Sequence, residues 1–393
     1  MSLASLLALS LPLLSAVAAT KPGSGHLCKD FRIPVNVTVP YYDLNLSIET
    51  NWDLVDYIFN STRRDSREVF HPVGASQTAT TAYTIGATFC TPSPRKNSSE
   101  TVLILTHGSM VDRSYWNPVF PGSERYNFVQ HVLDAGYSVF FYDRLGSGNS
   151  DRPSPITHVQ FAPQVAILES LTRLLQRPNS PYTLNTTIRK VVHVGHSFGA
   201  FIAAALLAAP TQTQTQIQQT PPPSQTPPGN ALVLTGFSGR FEWISLFVSG
   251  GQARVAALQN PKKWAPLPHG YLVPADAYSA AYGGFKSPFF DRRVAEWLYE
   301  NQSPYAIGES LTAGTWPLDF GLLNVPVQVV QGRHDLTACG GNCDGVLDST
   351  AALFTGSPKV VVNGDFQGGH NLNFHYDGKK SFYAITKFVK ETV

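Results

Sequence analysis

The pentapeptide Gly195-His196-Ser197-Phe198-Gly199 places a serine where it could act as a nucleophile. A largely β-branched run, Val191-Val192-His193-Val194, leads into it, and a small-residue stretch, Ala200 to Ala209, leads out. A strand-to-helix turn of this kind holds its serine in a strained conformation that lifts the hydroxyl into reach of a substrate. Glycines two positions either side let strand and helix approach without a Cβ clash. The bland reading is a Gly-Ser turn, which leaves the flanking pattern unexplained. A hydroxyl alone is a poor nucleophile, so the chemistry also needs a histidine base, an acid to orient it and donors for a developing oxyanion.

Candidates for each follow in the chain. Val325-Pro326-Val327-Gln328-Val329-Val330 reads as a buried strand running into Gln331-Gly332-Arg333-His334-Asp335, which makes Asp335 the candidate acid. Lys359-Val360-Val361-Val362 reads as another strand; the loop after it carries His370, the candidate base, ahead of a C-terminal helix over 380–390. Asp344 and Asp348 compete as acids and His375 and His334 as bases, but a place just beyond a strand's carboxyl end favours Asp335 and His370. For the oxyanion, one N–H is expected from Phe198 and another from the turn Thr106-His107-Gly108-Ser109-Met110 that follows the strand Thr101 to Leu105. Ser109 is the preferred second donor and Met110 the alternative, with His107 read as structural.

Taken together these residues resemble the α/β-hydrolase superfamily, in the branch with a helical cap that includes esterases, lactonases, epoxide hydrolases and cofactor-free haloperoxidases. The resemblance spans roughly 101–393. It rests on the elbow, on His107-Gly108, on Asp335 and His370, and on Tyr142-Asp143-Arg144-Leu145-Gly146-Ser147-Gly148-Asn149-Ser150, in which Asp143 is carried over as structural. It implies an α/β-hydrolase fold: a mostly parallel sheet with helices on both faces and a helical cap insertion. The loop His107-Gly108-Ser109-Met110 lacks the bulky aromatic or proline usual in the family. Ser197 stands where epoxide hydrolases and dehalogenases carry an aspartate, which argues against an alkyl-enzyme route. The type implied is a secreted, eukaryotic, fungal-type serine hydrolase without a cofactor.

The ends and the composition bear on compartment. Residues 1–19 are almost wholly apolar and finish in a small-residue run, Ala16-Val17-Ala18-Ala19, which reads as a signal peptide rather than a membrane anchor. Sequons at Asn36, Asn45, Asn60, Asn97, Asn185 and Asn301 suit passage through a secretory pathway. Of the three pairings open to four cysteines, Cys339 with Cys343 closes a short flexible ring and leaves Cys28 for Cys90. Metal ligation is disfavoured by the ligand spacing. A net charge of +2 without a basic cluster argues against nucleic acid and acidic membranes as partners. Oligomeric state is not encoded in these features.

The elements must position that chemistry. Residues 20–100 read as an N-terminal arm with opening antiparallel strands, and 101–237 as the first part of the core, in which strands and helices alternate as in a parallel sheet. Within it, the Thr/Gln/Pro-rich segment 211–230 reads as a disordered loop. Residues 238–320 interrupt the pattern with many aromatics and few charges and read as the cap; 321–393 complete the core. The functional expectation is cleavage of an ester, lactone or thioester of an apolar small molecule through an acyl-enzyme. The rivals are a serine peptidase using a cap carboxylate (Asp276, Asp291, Glu296 or Glu300) to bind an amine, a biosynthetic cyclase or acyltransferase on the same triad, and a non-catalytic binding protein.

Overall fold

A computed structural model of the chain describes residues 25–93, 99–208 and 228–393. The candidate signal segment 1–19, the sequon at Asn97 and positions 211–227 of the Thr/Gln/Pro stretch lie outside the described residues. Two long strands open the fold, β1 (Leu27–Leu44) and β2 (Val73–Thr91), paired antiparallel from Leu27↔Thr91 to Leu44↔Val73 with one irregularity near Tyr42. Alternation along β1 puts Ile33, Val35, Val37 and Val39 on one buried face. Between them lies the helix Asn51–Thr62, whose start is fixed by a reciprocal capping box of Thr50 and Asp53.

The remaining strands of the main sheet are β3 (Thr101–Thr106), β4 (Ser138–Tyr142), β5 (Lys190–His196), β6 (Ala231–Thr235), β10 (Val327–Gly332) and β11 (Val360–Phe366). The eight-stranded order is β1-β2-β4-β3-β5-β6-β10-β11. β2 meets β4 antiparallel, and every later neighbour is parallel. This is the α/β-hydrolase fold. β3, β5 and β6 are buried nearly throughout because helices cover both faces: Phe161–Gln176 and Phe198–Leu207 contribute to one buried cluster, while Phe128–Asp134 and Gly378–Thr392 contribute to another. β5 lies at the centre, so its carboxyl end delivers Ser197 to the middle of the sheet's upper edge.

Between β6 and β10 the chain leaves the sheet. It forms the helices Ile244–Gly251, Ala277–Gly284 and Arg292–Glu300, with shorter ones, and a small antiparallel sheet of β7 (Arg254–Val255), β8 (Tyr271–Val273) and β9 (Tyr305–Ala306). No periodicity announces that small sheet, because strands of two and three residues carry no alternation to read. No helix among the described residues is long and apolar enough to cross a membrane.

All four cysteines are bonded, Cys28 to Cys90 and Cys339 to Cys343. The first clamps the open end of the β1–β2 ladder across 62 residues, whereas the second closes a loop four residues apart. Loop-entropy arithmetic makes the longer closure worth about 4 kcal/mol and the shorter about 2 kcal/mol. Replacing Cys28 and Cys90 together by serine is therefore expected to lower the urea midpoint more than replacing Cys339 and Cys343. The reverse order in equilibrium unfolding would show that the small ring carries more of the stability than its length accounts for.

Candidate active site

Ser197 occupies the turn between β5 and the helix Phe198–Leu207 with φ 52° and ψ −121°, a combination that costs energy for any residue bearing a Cβ. A Cβ on Gly195 would lie 2.4 Å from the Gly199 carbonyl oxygen, and one on Gly199 would lie 2.3 Å from that of Thr106. Only glycine fits either place. The Ser197 N–H donates to the Thr235 carbonyl at 2.8 Å, tying the turn to β6.

The three candidate residues, 138 and 35 positions apart along the chain, meet here. Ser197 Oγ lies 2.8 Å from His370 Nε2, and His370 Nδ1 lies 2.7 Å from Asp335 Oδ2. Asp335 is fully buried just beyond β10, where it caps the helix Leu336–Cys339 by accepting from the Ala338 N–H at 2.8 Å. Its other oxygen also accepts from Gln331 Nε2 at 2.5 Å. Burial works against the charged form. Attraction to His370 and the hydrogen bonds from His370, Ala338 and Gln331 outweigh it, so the carboxyl stays below its ordinary value of 3.8. With Asp335 an ionised acceptor, Nδ1 carries the proton and Nε2 is left to accept from the Ser197 hydroxyl. Such a relay can strip a serine of its proton during attack and return it to a leaving group.

Above Ser197 runs the turn after β3. His107 accepts the Arg144 N–H on Nε2 at 2.9 Å and so donates from Nδ1 to the Gly108 carbonyl at 2.8 Å. Burial, and then the Arg144 charge, hold this imidazole well below 6.5. His196 stacks on Tyr115 with ring centroids 4.4 Å apart, its Nδ1 3.1 Å from the Thr235 hydroxyl. Burial, with His370 5.0 Å away, pushes it down to about 3. Among the described residues, the amide N–H groups of Ser109, Met110 and Phe198 have no backbone acceptor.

The cavity beside Ser197 is small, about 40 Å³, and lined by Ser109, Met110, Val111, Phe247, Pro274, Ala280, Phe285, Leu298 and Tyr299, among others. Among the described residues, no carboxylate, lysine or arginine side chain lines it. A cleft of about 1060 Å³ lies elsewhere, against Asp112, Arg113 and Asn117, and touches none of Ser197, Asp335 and His370.

The competing residues sit apart. His375 is buried beneath the His370 loop, where Nε2 accepts from the N–H groups of Gly369 and Lys286 and Nδ1 donates to the Asn371 carbonyl. His334 stacks on Phe289. Asp344 is exposed and pairs with Arg333, and Asp348 is exposed. Asp276 and Asp291 cap helices, and Glu296 and Glu300 are exposed. Sequence reasoning passed over Gln331, whose carbonyl oxygen accepts from the Phe237 N–H at 2.7 Å while its amide serves Asp335. Its place at the end of β10, four residues before a candidate acid, is the signal that could have found it.

Residues 103–377 match the alpha/beta hydrolase family. Among solved structures, a thermophilic esterase from Thermogutta terrifontis superposes with a TM-score of 0.51 at 16% identity, covering 79% of this chain and 94% of that one. An esterase from Exiguobacterium antarcticum gives 0.50 at 15% identity over 78% and 96%. At these identities the likeness is one of fold. No curated protein matches the chain.

Four buried histidines, His107, His193, His196 and His375, are held below 6.5, His193 and His375 at about 4, in each case first by burial. Below pH 6.5 the unfolded chain takes up protons that the folded protein refuses, so stability falls with pH at up to about 1.4 kcal/mol per unit for each histidine. Asp143, raised to about 6 by burial, takes up its proton in the folded state first and opposes this between pH 6 and 3.8. Four groups outweigh one. The urea midpoint is therefore expected to drop from pH 6.5 to pH 4.5, and a flat profile there would mean that these histidines titrate freely in the folded protein.

Proposed function

The chain belongs to the alpha/beta hydrolase family, and from that premise we propose that it is a serine hydrolase cleaving a carboxylic ester, lactone or thioester of an apolar small molecule. The observation that carries the proposal is the unbroken relay from Ser197 Oγ to His370 to the buried Asp335, at 2.8 and 2.7 Å. In the proposed reaction Ser197 Oγ attacks the substrate carbonyl while His370 Nε2 takes its proton. The N–H groups of Phe198 and Ser109 hold the tetrahedral oxyanion. Collapse expels the alcohol or thiol, protonated by His370, and leaves an acyl-Ser197 ester. Water activated by His370 then attacks that ester and releases the acid.

The apolar lining of the cavity supports an apolar acyl group, and its lack of carboxylates speaks for esters over peptides with a free amine. Its volume is far below the roughly 300 Å³ at which pockets hold drug-sized ligands, so any acyl group beyond a few atoms needs lining groups such as Phe247 and Tyr299 to move aside. We further propose secretion with N-glycosylation. Both disulfides suit an oxidising compartment, and Asn36, Asn45, Asn185 and Asn301 are exposed.

A fluorophosphonate probe is expected to label Ser197, and Ser197→Ala to abolish both labelling and p-nitrophenyl ester hydrolysis while melting near the wild type. An alanine variant that turned over normally would end the proposal. Asp335→Asn is expected to lower kcat by about 10³ to 10⁴, through loss of the tautomer that leaves Nε2 free. His375→Ala should be limited by stability, with the rate per labelled site largely kept. Material from a eukaryotic secretory host is expected to begin near Thr20 and to shrink on deglycosylation, and intact Met1 on cell-retained protein would refute secretion.

A further inference from the structure

Arg144, next to Asp143 in the turn after β4, is a large charged side chain only 1% exposed. Its guanidinium forms a two-pronged pair with Glu309, Nη1 to Oε2 at 2.5 Å and Nη2 to Oε1 at 3.2 Å. Glu309, itself buried, comes from the helix Ile307–Thr312, outside the main sheet, and also accepts from Gln164 Nε2 at 3.0 Å. Replacing a buried ion pair by apolar side chains of similar size is often neutral or stabilising, so a contribution to stability is a weak reason for its presence. The atoms around it supply another. Nη2 donates to the Gly108 carbonyl at 3.2 Å, alongside His107 Nδ1, and the guanidinium carbon lies 5.1 Å from the centre of the Phe198 ring.

We propose, resting on the serine-hydrolase reading above, that Arg144 with Glu309 as counter-ion is a positioning residue for the oxyanion hole. The Gly108 carbonyl and the Ser109 N–H belong to one peptide unit, and that unit is trans. In a trans peptide the C=O and N–H point in opposite directions, so holding the oxygen on Arg144 and His107 fixes the heading of the Ser109 N–H. Ser109 borders the cavity beside Ser197, and a Cβ on Gly108 would lie 3.0 Å from the Ser197 Cβ, so the peptide sits directly over the serine. A cation on the carbonyl also draws density from the amide, which strengthens its N–H as a donor to a developing negative charge. The same guanidinium lies against the side chain of Phe198, the other proposed donor. One cation therefore fixes the Ser109 amide and packs on the ring of Phe198, and Glu309 holds that cation from the inserted segment.

The test compares Arg144→Met/Glu309→Met, Arg144→Lys and Glu309→Gln with the wild type, all rates expressed per fluorophosphonate-titrated site so that unfolded protein does not count. Removing both charges leaves no unpaired ion, so the double variant is expected to melt close to the wild type. Its kcat is expected to fall about 10- to 100-fold with KM little changed, less than the 10² to 10³ that follows outright loss of a donor. The Ki of a trifluoromethyl ketone, which forms a tetrahedral oxyanion on the serine, should rise by a similar factor. Arg144→Lys, which keeps the charge without the fork, should fall between. Wild-type kcat and Ki in the double variant, or in both single variants should the double not fold, would overturn the proposal. Failure of the wild type itself to label at Ser197 would instead remove the serine-hydrolase reading beneath it.

Discussion

The site depends on one backbone constraint, the left-handed conformation of Ser197 at the end of β5. A residue with a Cβ adopts it only when its surroundings leave no alternative. Here the surroundings are backbone: Gly195 packs on Gly199, and Gly199 packs on Thr106 and His107 at the end of β3. Two strands and a helix thus converge with no side chain between them. The strain is offset by the strand ladders on either side of β5, in register with β3 from Thr101↔Lys190 and with β6 from Val192↔Ala231. Everything else near the hydroxyl is arranged around a point whose position is set by main chain alone.

Electrostatics complete what the backbone begins. The site is largely buried, which punishes any unpaired charge. Two solutions coexist within it. Asp335 stays charged because it is met by His370 and by further hydrogen bonds, and Arg144 is paired with Glu309, whereas His107, His196 and His375 stay neutral and serve as fixed donors and acceptors for main-chain groups or a neighbouring hydroxyl. His370 differs from these three in its neighbours. It faces a carboxylate on one side and a hydroxyl on the other, the only placement of the four that gives a proton somewhere to come from and an ion to stabilise it after arrival.

The segment between β6 and β10 contributes more than a cover. Phe247 and Ala280 from its helices narrow the space above Ser197, and the Phe247 ring lies on Gly283 where a Cβ would sit 2.8 Å away. Glu309, further along, reaches the turn after β4. The inserted residues therefore touch the site from above, through an apolar wall, and from the side, through an ion pair.

Ser197, Asp335 and His370 were legible because each sits at a strand end marked by local pattern: β-branched runs, then glycine-rich turns. The same patterns carried the parallel core, since alternating strands and helices admit few other arrangements. What local pattern cannot carry is the meeting of residues far apart in sequence. Nothing near Phe237 announces that Gln331 holds its N–H, nothing near Glu309 announces Arg144, and the three short strands β7, β8 and β9 are defined by pairing partners rather than by composition. The neutrality of the buried histidines is of the same kind, because a histidine's charge is decided by the water it has lost and the groups it faces. Sequence determined which residues could do chemistry and on which strand ends they sit; tertiary packing decided which of them touch, how much room lies above the serine and which buried groups carry charge, because distance and desolvation exist only once the chain has closed on itself.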